Sequence, residues 1–413
     1  MSPPSPVRLK DAMSKWELIG ILVVMTALVA LSIDMMLPAL PDIAESLNPA
    51  EENHRQLVVT AFLIGFGVAQ LLYGPLADRF GRKPVILGAL AFYGVATLVC
   101  LVAASFETLL LARFFQGAAA AACRVIATAI ARDLTSGRRM AEVMSMAMTV
   151  FMIVPIIAPA LGQLILMIAP WRWIFVALLL FAAGLALWLI FRLPETLHPE
   201  YRRPLRPLAI LASYREATGD RLLLGYTLAG AAFFGGLYGF LNTAEQIFAE
   251  HYGLGDAFPI AFAAVAGAMS VTSYVNSRLV GRLGQRRLSH GALFAFTAIS
   301  SLHAIVIAAG VDSLPLFIVM LAAAMMLLGL IAANFSALAM ENVGHIAGTA
   351  SAAYGFASGV IGAIIGAGIG QLYADSALPL VAGQAVMGLV TIGLVVLTEG
   401  GRLFGVGDEA SAE

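Results

Sequence analysis

Three charged side chains stand inside apolar runs, where charge is costly. Asp34 lies in ALSIDMMLPALP (30–41), at the far end of an almost unbroken apolar stretch from Trp16 to Ile33. Arg113 lies in LLLARFFQGAAAA (109–121), and Arg124 follows eleven residues later. At the centre of a membrane helix, insertion scales put such a charge at about 2.5–3.5 kcal/mol. Embedded charges therefore pair, line a water-filled path or move protons and substrates. Three roles for Asp34 stay open on the residues alone: a static ion-pair member, a group that binds a cationic substrate, or a proton carrier that alternates with substrate. Burial disfavours the charged carboxylate and a nearby arginine favours it. Arg113 and Arg124 are three helical turns apart and share one face with Gly117 and Ala120. Arg124 reads either as a side chain snorkelling to the interface or as a cation in a cavity.

Other polar groups in apolar runs are few. Tyr238, Asn242 and Glu245 fall near helical spacing beside Gln246, with Glu245 close enough to a run's end to be solvated. Asn334, Tyr354, Gln163, Gln371 and His303 complete the set, His303 reading as a packed or lipid-side residue. Met35, Met36, Met144, Met146, Met148 and Met152 offer soft surface suited to varied apolar cargo, although lipid contact explains some of them equally. The expected substrate cavity is thus lined by Asp34, Met35, Arg113, Gln116, Arg124, Met148, Tyr238, Asn242, Glu245, Asn334 and Tyr354.

The elements that hold these residues follow from composition. Of 413 residues, 60% are hydrophobic and only 12% charged, with mean hydropathy +0.90. Soluble domains carry roughly 25% charge, so the chain reads as an all-α polytopic membrane protein. A span needs about 20 apolar residues. Twelve segments qualify, at about 17–40, 56–76, 84–104, 107–131, 140–168, 171–193, 221–249, 257–280, 288–310, 313–338, 347–373 and 377–398. Residues 194–220, rich in Pro and Arg, read as a linker between two six-helix bundles, 1–193 and 221–413. The short basic N-terminus and the long apolar run behind it read as a retained first span. Cys100 and Cys123 both sit in apolar runs and read as small buried residues.

Charge orients the spans. With the N-terminus in the cytoplasm, nearly all Lys and Arg outside the spans fall on that side, including Arg8, Lys10, Arg79, Arg82, Lys83, Arg138, Arg203, Arg206 and Arg286. The opposite side receives only Arg55 and Arg172. Both termini and the linker are therefore expected to be cytoplasmic.

The two halves echo one another. GPLADRFGRKP (74–84) aligns with SRLVGRLGQRR (277–287), and APALGQL (158–164) with GAGIGQL (366–372). Parallel six-helix repeats around a midplane site are one way to build alternating access.

GPLADRFGRKP resembles the signature loop of the major facilitator superfamily. LLLARFFQGAAAA resembles its fourth-helix motif, VPIIAPALGQ (154–163) its fifth-helix antiporter motif, and SIDMMLPALPDIA (32–44) the first helix of the bicyclomycin and chloramphenicol exporters in its drug/proton antiporter branch. The antiporter motif supplies Pro155, Pro159 and Gly162, with Ala158 where the pattern has glycine. The resemblance implies a major facilitator fold of two pseudo-symmetric bundles. It also implies a proton-coupled exporter of amphipathic small molecules or drugs, with Asp34 and Arg113 coupling protons. Such an exporter would sit in a bacterial-type cytoplasmic membrane and is expected to act as a monomer.

 The expected partners are the small-molecule substrate, protons and the lipid bilayer, with no nucleic acid and no cofactor beyond the proton gradient.

The same resemblance implies a cytoplasmic gate built from Gly74, Asp78, Arg79, Gly81, Arg82, Arg132 and Asp133, with Asp78 docking near the start of the eleventh span. A carboxylate at a helix N-terminus is favourable. Gly74 and Pro75 are expected to end the second span, and Pro38 and Pro41 to loosen the end of the first. Counting Asp34 back from the end of the first span near Leu40 and Arg113 in from the start of the fourth near Glu107, each lies about six residues deep, roughly 9 Å at 1.5 Å per residue, so an ion pair between them is feasible. The alternative function is a narrow symporter or uniporter of one polar metabolite, which calls for more embedded hydrogen-bonding groups. The residues hold no metal-ligand cluster, nucleophile elbow or phosphate loop, so an enzyme is not expected.

Overall fold

The computed structural model describes residues 13–135, 137–202 and 207–405. Arg8, Lys10, Arg203 and Arg206, counted above for orientation, lie outside the described residues, as does the side chain of Arg138. Among the described residues every regular element is helical.

Twelve helices are long and apolar enough to cross a membrane. They are α1 (Lys15–Leu47), α2 (Glu52–Phe80), α3 (Arg82–Val102), α4 (Phe106–Leu134), α5 (Glu142–Leu166) and α6 (Arg172–Arg192), then α7 (Arg221–His251), α8 (Gly255–Thr272), α9 (Gln285–Ala308), α10 (Leu314–Ala339), α11 (Gly344–Gln371) and α12 (Leu378–Thr398). Their positions follow the apolar runs because, in lipid, a helix satisfies its own backbone polar groups. Ser14 caps α1, Ser105 caps α4 and Asp220 caps α7 through side-chain oxygens.

Two ends differ from the sequence expectation, and proline explains both. The regular helix of α1 stops at Asp34, passes through a 3-10 turn at Leu37–Ala39 and resumes over Leu40–Leu47. Pro38 and Pro41 each stand in the first turn of a segment, where a missing N–H costs nothing, so they restart the helix rather than end it. Asp34 is therefore thirteen residues from the end of α1, not six. Pro75 sits within the helix Leu57–Phe80, which runs through Gly74 and ends about four residues later than expected. Pro155 starts the second half of α5 at Val154–Leu166, after a break that follows Phe151.

The chain divides into two compact units, Met1–Pro49 with Ala61–Ile210, and Ala50–Thr60 with Leu211–Glu413. The dividing point lies inside a helix, Pro207–Gly219, within the segment read as a linker. The start of α2 packs with the second unit and the remainder with the first.

In the first unit, α1 packs on α4, α5 and α6, and α3 packs on α4 and α6. The α2–α4 crossing is close: a side chain at Gly65 would strike the Phe114 carbonyl, and one at Gly117 the Phe62 carbonyl. In the second unit, α7 packs on α10, α11 and α12. The glycine stripe of α11 has this use, since Gly362 and Gly366 lie against Tyr238 and Gly239 of α7.

Candidate transport site

Asp34 is 5% exposed and closes the regular part of α1. Just beyond it the hydrogen bonding tightens: the Met35 N–H still reaches Leu31 O, four residues back, but the Met36 N–H donates to Ile33 O and the Ala39 N–H to Met36 O, three back. This irregular turn meets α5 at Gly162, where a side chain would strike the Met35 carbonyl and the Pro38 ring. The antiporter-motif glycine thus admits the break in α1, and Pro159 and Gly162 are buried beside it. Pro155 marks the break in α5 itself. Met35 is buried in the same turn, whereas Met148 of α5 is 47% exposed.

Arg113 is fully buried. Its Nη1 donates to Gln116 Oε1 at 2.6 Å and its Nη2 to the Ser32 carbonyl at 2.8 Å. The guanidinium also lies over the Phe62 ring, 4.7 Å from the centroid. Gln116 donates in turn to Thr97 Oγ1 at 2.8 Å, and Tyr93 and Ser32 hydroxyls are hydrogen-bonded at 2.6 Å. Three helices, α1, α3 and α4, are therefore joined by one buried polar network.

Among the described residues, the ion pairs include none between Arg113 and Asp34, which corrects the expected pair. The backbone supplies the reason. The Met36 N–H turns to Ile33 O, three residues back, so the Ser32 carbonyl loses its helical partner and takes the guanidinium instead. Ser32, Tyr93 and Thr97 were not singled out in the sequence. The signal was there: Tyr93 and Thr97 are four residues apart in an otherwise apolar run.

Arg124 is exposed on α4, together with Thr128 and Arg132. Arg132 thus stands apart from the gate cluster that its neighbour Asp133 joins.

That cluster is built on Gly81, whose φ of 102° is open to glycine and unfavourable for other residues. Arg82 bonds Asp78 at 2.5 Å and Asp133 at 2.9 Å. Glu195, just after α6, accepts from the Arg82 N–H at 2.9 Å and the Lys83 N–H at 3.2 Å, a carboxylate at the N-terminus of α3. Thr196 adds a hydrogen bond to Asp133 at 3.0 Å. Arg79 is exposed. Glu195 and Thr196 were overlooked because they fell in the linker; the acidic residue directly after an apolar run was the available signal.

The second unit repeats the device with different acids. Arg286 bonds Glu399 at 2.9 Å, after α12, and Glu341 at 2.8 Å, after α10. The helix-terminal acids thus come from α4 and α6 in one unit and from α10 and α12 in the other.

The polar residues of the second half that were expected to line the cavity are mostly buried. Asn242 and Glu245 are buried with Arg55, Gln56 and Thr60 at the start of α2. Arg55 meets Glu250 at 2.6 Å and Glu245 at 3.8 Å and is only 3% exposed. Both the loop placement of Arg55 and a solvated Glu245 are thereby corrected: the two charges sit at the edges of apolar runs but are buried against each other. Gln56 bonds Gln246 and the Gly370 carbonyl, and Asn53 bonds the Tyr373 carbonyl at 2.8 Å. Asn334 is buried with its amide on Asn276 and the Leu330 carbonyl, and the buried Tyr354 hydroxyl packs against Gly230. Tyr238 is partly exposed beside the α11 glycines. His303 is buried against Phe317, and Cys100 and Cys123 are buried free thiols.

Twelve membrane-length helices, a glycine-turned loop stapled by charge in each unit, and a carboxylate at a helix break define a multi-pass membrane transporter. The chain belongs to the Major Facilitator Superfamily, whose family model matches residues 22–367. It is 32% identical over 362 residues to a bicyclomycin resistance protein homolog of Haemophilus influenzae, covering 86% of this chain and 89% of that one. It is 31% identical over 382 residues to a chloramphenicol resistance protein of Pseudomonas aeruginosa, covering 89% and 87% respectively. Among solved structures, a partially occluded inward-open form of the xylose transporter XylE from E. coli matches with a TM-score of 0.74 at 11% identity, over 94% of this chain and 98% of that one. This last likeness concerns the fold alone.

Proposed function

We propose that the protein is a proton-coupled exporter of amphipathic small molecules, working by alternating access in a cytoplasmic membrane with the Gly81 loop on the cytoplasmic side. The observation that carries this reading is Asp34. It is a carboxyl group 5% exposed at the one turn of α1 where the helix loses its regular hydrogen bonding. Arg113, the nearest candidate counter-ion in the sequence, is held by Ser32 and Gln116 instead. A buried carboxylate without a counter-ion is costly, and taking up a proton removes that cost. A change of exposure at this turn would therefore change the proton occupancy of Asp34, which is what coupling requires.

Relatives named for resistance to bicyclomycin and chloramphenicol support the exporter direction. The exposed Met148 gives the soft surface that varied apolar cargo needs. The alternative, a narrow transporter of one polar metabolite, finds less support, since Asn242, Asn334 and Glu245 are all buried in local networks. A drug-susceptibility panel in an efflux-deficient host, with and without a proton uncoupler, tests the proposal. Resistance that vanishes with the uncoupler is expected. Resistance that survives it, or accumulation instead of efflux, would contradict it.

A further inference from the structure

The lower half of α4 carries a pattern that proton coupling does not use. From Ala119 to Thr135, three residues alone are exposed: Arg124, Thr128 and Arg132. They are spaced by four, so they form a single stripe. Around them Ala120, Ala121, Ile126, Ala127, Ile130 and Ala131 are buried.

A stripe facing hydrocarbon would be apolar. That is what the lipid-type faces of this protein show: Phe92, Val95 and Val99 on α3, Leu180 and Leu187 on α6, and Leu111 and Phe115 on α4 itself. Phe115 and Arg124 are nine residues apart, half a turn out of phase, so the polar stripe is on the opposite side of α4 from its apolar exposed face. Arg124 lies ten residues before the end of α4, about 15 Å along the axis. A guanidinium exposed on the side of the helix away from its apolar face favours water or a polar ligand over lipid.

We propose that Arg124, with Thr128 and Arg132, forms an anion-recognising subsite that binds the carboxylate of amphipathic substrates. The chemistry is direct. The Arg124 and Arg132 guanidinium groups offer planar forks that match a carboxylate. The Thr128 hydroxyl is one turn from each; it bonds the Arg124 carbonyl at 3.2 Å and can swing to a ligand oxygen. The ion pairs of the described residues include neither arginine, so neither is already committed to a carboxylate of the protein. The transport direction of such a substrate rests on the exporter reading; the subsite itself does not.

The test uses the full-length purified protein in nanodiscs. Thr128→Cys places a thiol in the middle of the stripe, with Cys100 and Cys123 buried. An anionic methanethiosulfonate should label it faster than the cationic reagent of the same size, and adding Arg124→Gln should abolish that preference. Rhodamine B and its ethyl ester, one with the carboxylate and one without, then probe the ligand. The acid should protect Thr128→Cys from labelling more strongly than the ester. Arg124→Gln should weaken the acid by about tenfold to a hundredfold, the worth of a lost charged hydrogen bond, while Arg124→Lys should restore part of it. No labelling by either reagent, a labelling preference indifferent to Arg124, or equal or absent protection by the two dyes would overturn the proposal. Proton-driven efflux by the unmodified protein is measured separately. Its failure with the labelling and protection patterns intact would strike the exporter reading and leave the subsite standing.

Discussion

Arg113 donates to the Ser32 carbonyl at 2.8 Å and thereby grips α1 two residues before Asp34. The guanidinium thus anchors the turn that holds the carboxyl without neutralising it. This arrangement separates two jobs that a direct ion pair would merge.

It follows that Asp34 and Arg113 should act nearly independently on stability. Arg113→Ala removes charged hydrogen bonds to Ser32 and Gln116, each worth about 1.5–3 kcal/mol, and should be strongly destabilising. In a cycle with Asp34→Asn, the coupling read from melting in detergent should stay below about 1 kcal/mol. A coupling near 3 kcal/mol would show that the two charges do pair.

The loop cluster makes a second prediction. Gly81 has φ 102° and Glu195 lies against it. Gly81→Ala should cost about 1–3 kcal/mol for the backbone alone and more for displacing Glu195 from the start of α3. Glu195→Gln should cost less, about 1 kcal/mol, because it removes the charge and keeps the shape. Thermal melts of both variants check the order; equal melts for Gly81→Ala and the parent would refute the strain.

A third prediction concerns the start of α2. Arg55→Ala strands the buried Glu245 carboxylate and frees Glu250, and should destabilise by about 3 kcal/mol. Exchanging the charges, Arg55→Glu with Glu250→Arg, should recover part of that loss. A double variant no more stable than Arg55→Glu alone would mean that the pair contributes shape rather than charge.

Where sequence and structure part company, the causes are local. The spans were legible because twelve apolar runs leave few other choices, and the break in α1 was half legible, since Pro38 and Pro41 flag it. Their meaning was not: a proline that ends a helix and one that starts the next look the same until the backbone beyond it is seen. Asp34, Arg113 and Gln116 stood out as charge and amide in apolar runs. Their pairing was not legible because a carbonyl freed at the break in α1, rather than a carboxylate, takes the guanidinium. Arg55, Glu245 and Glu250 lie at the edges of runs, where a charge normally meets water; only tertiary contact buries them. Glu195, Glu341 and Glu399 were unread because each partners an arginine far away in the chain.

The account rests most heavily on Asp34 as the group that takes up and gives back the proton. Its test is transport in proteoliposomes driven by an imposed pH gradient, with substrate binding measured on the same preparation. The unmodified protein should move substrate uphill and release protons on binding it. Asp34→Asn should bind substrate yet show neither uphill movement nor substrate-induced proton release. Gradient-driven transport by Asp34→Asn at the rate of the unmodified protein would contradict the account.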